Sequence, residues 1–103
     1  MQRKKILCVD DSNTVLLMEK MILGKWDYQL LVAHDGEEAL EVATRDQPDL
    51  ILLDVVMPRM NGFETCRRMR AQEATRRIPV IMVTTRGEME NVEQAYGDRK
   101  SVV

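Results

Sequence analysis

The sequence predicts a doubly wound parallel α/β sheet built as one domain. Short unbroken apolar runs recur along its 103 residues, and each is closed by polar or turn residues, the pattern of strands buried on both faces. Segments with apolar residues at helical spacing separate these runs. Alternating elements of this kind give a parallel sheet with right-handed crossovers and helices above and below it.

Lys5 to Val9 is the first apolar run, and it ends in Asp10-Asp11. Ser12 and Asn13 follow as helix caps. Val15, Leu16, Met18, Ile22 and Leu23 mark a helix with a wide apolar face, and Gly24 fits its end. Leu30 to Ala33 is the second strand and Asp35-Gly36 a turn. A helix runs from Glu37 to about Arg45, with Glu37 and Glu38 in the first turn where the dipole favours them, and with Ala39, Leu40, Val42 and Ala43 on its buried side.

Asp46 to Asp49 leads into Leu50-Ile51-Leu52-Leu53-Asp54, the central strand. Four large apolar residues run straight into a carboxylate, and Met57-Pro58 and Asn61-Gly62 then turn the chain. A helix from about Phe63 to Ala71 places Phe63, Cys66 and Met69 on one face. Glu73 to Arg77 is a polar loop. Pro79 opens the strand Val80 to Val83, which ends in Thr84-Thr85. Glu88 to about Tyr96 reads as a last helix with Met89 and Val92 facing in, stopped by Gly97.

Composition narrows the function. A net charge of −2 makes no electrostatic case for binding nucleic acid or an anionic membrane. Arg3-Lys4-Lys5 is too short for a dedicated basic patch. Cys8 and Cys66 stand far apart in apolar contexts and read as buried thiols of a reducing compartment, without zinc or redox spacing. His34 is the only histidine, which leaves little support for a Ser/His/Asp or Cys/His set. With no signal peptide and no apolar run of membrane length, the expected location is cytoplasmic. The eight methionines lie mostly at core spacings, as gap fillers.

The chemistry lies where the strands end. Parallel strands share one carboxyl edge, so Asp10, Asp11, Asp54 and Thr84 converge if their strands are neighbours. Taken singly, each residue has an ordinary structural use: Asp10 and Asp11 in capping, Asp54 and Thr84 in turns. Together they form a set of carboxylates that repel unless a divalent cation neutralises them, and such oxygen ligands suit Mg2+. Magnesium held by one or two carboxylates plus a phosphate leaves an aspartate free to attack phosphorus. Catalysis of that kind is mostly positioning and charge neutralisation. Thr84 would donate to a phosphoryl oxygen.

Val9-Asp10-Asp11-Ser12, Leu53-Asp54 with Val55-Val56-Met57-Pro58-Arg59-Met60-Asn61-Gly62, and Pro79 to Thr84 resemble the receiver domain of two-component response regulators. The resemblance runs from about Lys5 to Tyr96. It implies a flavodoxin-like, CheY-like fold and a phosphorelay function, with Asp54 as phosphoacceptor charged by a histidine kinase or a phosphotransfer protein. It implies Mg2+ in a pocket of Asp10, Asp11 and Asp54, with the Val56 carbonyl as a further ligand and Thr84 as the switch hydroxyl. Val56 and Arg86 would sit where side chains tune the phosphoryl lifetime, and an apolar Val56 gives little help in orienting water. With no output domain in the sequence, output would pass through a downstream effector protein. The domain is expected to occupy residues 1–103, with 1–97 matching the family and 98–103 an atypical tail.

The family continues with a fifth strand that carries an aromatic switch residue and ends in Lys-Pro, then a fifth helix. This sequence has no Lys-Pro pair, so it reads as a C-terminally truncated member lacking the usual last strand and helix. Lys100 is a poor substitute. A strand from Lys100 to Val103 would start about 10 Å from the pocket at roughly 3.3 Å per residue. Tyr96 comes too early to be the aromatic switch. Loss of the lysine would weaken transition-state stabilisation, and apolar surface left by the fifth helix would drive self-association. The alternative reading is therefore an interaction or oligomerisation module with impaired phosphorylation. A Mg2+-dependent phosphatase fits least, because Val56 stands where such chemistry wants a proton-transferring carboxylate.

Overall fold

The computed structural model describes residues 3–57 and 59–83. The expected helix from Glu88 to Tyr96, the residues Pro58, Thr84, Arg86 and Lys100, and the tail 98–103 lie outside them.

The described chain alternates β1 (Lys4–Val9), α1 (Asn13–Leu23), β2 (Tyr28–Ala33), α2 (Gly36–Asp46), β3 (Leu50–Asp54), α3 (Gly62–Ala71) and β4 (Val80–Val83). The strands form one parallel sheet in the order β2-β1-β3-β4. The order doubles back at β1, so β1 and β3 flank the topological switch point where open α/β sheets hold their ligands.

Strand alternation divides the core between the two faces. Leu7, Val9, Ile51, Leu53, Val80 and Met82 pack with Ala39, Val42 and Ala43 of α2 and with Cys66 and Met69 of α3. Ile6 and Cys8 point the other way, toward Leu16 of α1, with Leu23, Leu30, Val32, Leu50 and Leu52 packed around them. Both cysteines are buried free thiols.

Each helix among the described residues begins on a side-chain cap. Ser12, Asp35 and Asn61 accept from the backbone N–H groups of Val15, Glu38 and Glu64, respectively. Asp35-Gly36 is thus the start of α2 rather than a separate turn. Gly62 is required by contact: a side-chain carbon there would collide with the Asp54 carbonyl.

Three apolar positions face the opposite way from their expected side. Met18 and Ile22 of α1 are exposed, as are Leu17 and Met21, while Leu16 is buried. The helix is apolar on two stripes, and the one through Leu16 and Leu23 meets the sheet. Phe63 is exposed, whereas Cys66 and Met69 are buried beside Gly62 and Thr65. The inward face of α3 thus combines the small residues Gly62, Thr65 and Cys66 with the large side chain of Met69. Gly36 has no room for a side chain beside Thr65 and Met60.

Candidate functional site

The carboxyl edge of the sheet is built by strand endings. The last paired residues of β1 and β3 are Val9 and Leu53, so Asp10 and Asp54 are the next residues along on adjacent strands. The Asp10 N–H donates to the Ala33 carbonyl at 3.1 Å, which fixes it against the end of β2. The Ser12 N–H donates to Asp10 Oδ1 at 2.9 Å, folding the loop back over the strand end. On the other side, the Val55 N–H donates to the Val83 carbonyl and the Gly62 N–H to the Val55 carbonyl, both at 2.9 Å. The Val56 N–H reaches Asp54 Oδ1 at 3.4 Å.

Asp10, Asp11 and Asp54 can each offer an oxygen such that all of these atoms lie within 4.8 Å of one another. Asp10 and Asp54 are buried, at 1% and 2% exposure, while Asp11 is exposed. Like charges this close repel. An all-oxygen set with one open side fits a hard divalent cation that keeps part of its water shell, and Mg2+ is the natural choice. Val56 lies at the rim, 48% exposed. Of the site residues expected from sequence, the structure brings Asp10, Asp11 and Asp54 together and sets Val56 beside them; Thr84 lies outside the described residues.

A fourth carboxyl was not anticipated. Glu19, on the inward stripe of α1, lies beside the Cys8 thiol of β1 and near Asp10. Its Oε1 is buried without a hydrogen-bond partner among the described residues. Burial, then the charge of Asp10, push the Glu19 carboxyl up to about 7. Burial, then the charge of Glu19, push the Cys8 thiol up to about 12. Glu19 stands three residues after Leu16 and four before Leu23, on the stripe that packing against the sheet turns inward.

The arrangement of an acidic pair after the first strand and a lone aspartate after the third, across the switch point of a 2-1-3-4 sheet, has a clear counterpart. Residues 6–100 match the response regulator receiver domain family. The chain belongs to that family. Protein PilH of Pseudomonas aeruginosa is 36% identical to this receiver domain over 96 residues, covering 93% of this chain and 78% of PilH. The alkaline phosphatase synthesis transcriptional regulatory protein PhoP of Bacillus subtilis is 40% identical over 85 residues, 82% of this chain. The chain spans 35% of the length of PhoP. Among solved structures, the receiver domain of a sensor histidine kinase from Pseudomonas aeruginosa PAO1 superposes with a TM-score of 0.77 at 33% identity, covering 91% of this chain and 80% of that one. That protein is described with a magnesium ion coordinated in its active site cleft. Among the described residues of this receiver domain, no helix is long and apolar enough to cross a membrane.

Proposed function

We propose that this receiver domain accepts a phosphoryl group on Asp54 in a Mg2+-dependent two-component phosphorelay, with a histidine kinase or phosphotransfer protein as donor. The observation that carries the reading is the convergence of Asp10, Asp11 and Asp54 at the switch point, oxygens within 4.8 Å. Asp11 and Asp54, with the Val56 carbonyl, would hold Mg2+ directly, and Asp10 would complete the acidic pocket. The ion, when bound, neutralises charge on the carboxylates and on the transferring phosphoryl group. An Asp54 oxygen attacks the donor phosphorus, a new P–O bond forms, and the bond to the donor breaks with its electron pair leaving on the donor. The buried strand end and the Val56 N–H hold the carboxylate in place for this attack. The apolar side chain of Val56 cannot orient an attacking water, which favours a long-lived phosphoryl group. Thr84 is assigned the switch hydroxyl.

The domain is a signalling module of the cytoplasm rather than an enzyme with a separate substrate, with 1–103 as one receiver domain. Its output passes through an effector protein. The test is incubation with a small acyl-phosphate donor, with and without Mg2+. Uptake of one hydroxylamine-labile phosphoryl group only with Mg2+ supports the reading; no uptake by folded protein contradicts it.

A second reading, a protein-interaction or oligomerisation module, is favoured by one observation. Leu17, Met18, Met21 and Ile22 of α1 and the nearby Trp26 are each more than half exposed, an apolar surface of the kind that marks contact sites. Sedimentation across a concentration range tests self-association through it. The reading expects dimers that Met21→Glu and Ile22→Lys together dissociate, and a monomer at every concentration contradicts it.

A further inference from the structure

The loop that carries Asp10 and Asp11 is fastened from outside by a residue that belongs to neither strand ending of the acidic cluster. His34 follows the last residue of β2, immediately after the Ala33 carbonyl that accepts from Asp10. Its backbone N–H donates to Glu38 Oε1 at 2.8 Å. Its ring lies between two polar groups: Nδ1 is 3.2 Å from Glu38 Oε1 and Nε2 is 2.9 Å from Asn13 Oδ1. Asn13 is the first residue of α1, directly after Ser12. The imidazole thus ties the first turn of α2 to the point where the acidic loop enters α1.

We infer that His34 is a positioning residue for the Asp10–Ser12 loop, and through it for Asp11, the exposed member of the cluster. The inference rests on the proposed Mg2+ site and assigns part of its geometry to a side chain outside it. The bonds that hold the loop include the Asp10 N–H on Ala33, the Ser12 N–H on Asp10 Oδ1, the Ser12 cap on Val15, and Asn13 on His34. The first two fix Asp10 itself. The bond to His34 acts beyond Asp11 and is the one that ties this end of the loop to α2 through Glu38. The doubly protonated ring donates to both Glu38 and Asn13; the neutral ring donates to Glu38 and accepts from the Asn13 amide turned end for end. The bridge therefore survives either protonation state. Preorganised ligands bind a cation more tightly because less loop ordering remains to be done on binding.

The test is a double-mutant cycle read by Mg2+ affinity, measured by titration calorimetry on wild type, His34→Ala, Asn13→Ala and the double variant. Each single change is expected to weaken Mg2+ binding about threefold, the scale of one exposed hydrogen bond. The double variant is expected to be no weaker than either single one, since one bridge is lost in every case. In phosphoryl uptake, the half-saturating Mg2+ concentration should rise by the same factor while the rate at saturating Mg2+ stays unchanged, a split that mere loss of folded protein would not give. Asn13 is exposed at a helix start where alanine is well tolerated, so that variant keeps the test available should His34→Ala unfold. Wild-type affinity in both single variants, or effects that multiply in the double one, would overturn the inference. Failure of the wild type to bind Mg2+ would instead remove the site on which it rests.

Discussion

Asp10 and Asp54 stand side by side on neighbouring strands, one step beyond the Val9–Leu53 pair, and both are buried. Two carboxylates placed in this way oppose each other in the absence of a cation, so the site is built for ligand rather than for stability. Asp10→Asn should weaken Mg2+ binding by tenfold or more. Without Mg2+ it should leave the fold as stable as before or more stable by about 1 kcal/mol, the usual scale of a relieved functional strain. Calorimetric titration and urea unfolding of the same samples check both halves.

Glu19 should make stability fall as pH rises. Its folded-state value of about 7 lies above the ordinary 4.5, so between these values the folded chain holds a proton that the unfolded chain has released. The stabilising contribution of this group is complete below about pH 4.5 and is lost as pH rises through about 7. Glu19→Gln removes that dependence. Relative to wild type it should gain about 1 kcal/mol at pH 8, after discounting for partial solvent screening, and nothing at pH 4.5. Urea midpoints of the two proteins at both pH values decide it.

Gly62→Ala should disturb the fold and the site together. Alanine is the better helix residue by about 1 kcal/mol, but its methyl group would run into the Asp54 carbonyl and crowd Val55. The collision outweighs the propensity gain, and a net loss of about 2 kcal/mol is expected. Because the displaced group is the backbone of Asp54, Mg2+ affinity should fall in the remaining folded protein. A control at an open position of the same helix, Arg67→Ala, should cost less than about 0.5 kcal/mol.

Arg59 carries a positive φ of 68° in the turn after the central strand. Its ion pair with Asp35 spans 3.3 Å on an exposed surface and contributes little. Arg59→Gly should therefore raise stability by about 0.5 to 1 kcal/mol, seen as a higher thermal midpoint with phosphoryl uptake retained.

The central strand and the acidic pocket were legible because their signals are local. A strand covered on both faces must be continuously apolar, so Leu50 to Asp54 announces both its limits and the carboxylate at its end. The strand order was left open by these local signals: Asp10, Asp11 and Asp54 come together only because β1 and β3 are neighbours in the folded sheet. The inward face of α1 was not legible. Met18 and Ile22 extend the apolar count on the wrong side, and only the packed sheet shows that the Leu16 and Leu23 stripe, with Glu19 in it, is the one that turns in. His34, the only histidine, has little support in the sequence as part of a catalytic set. Its partners, Asn13 and Glu38, lie on two different helices, and the contact with Asn13 exists only once β1 and β2 are paired.

The central claim is that Asp54 is the phosphoacceptor. Intact-mass spectrometry after incubation with Mg2+ and a small acyl-phosphate donor tests it most directly, on wild type and Asp54→Asn side by side. The account predicts the mass increase of one phosphoryl group in the wild type and none in the folded variant. An equal increase in both proteins, or none in a folded, Mg2+-loaded wild type, would contradict it.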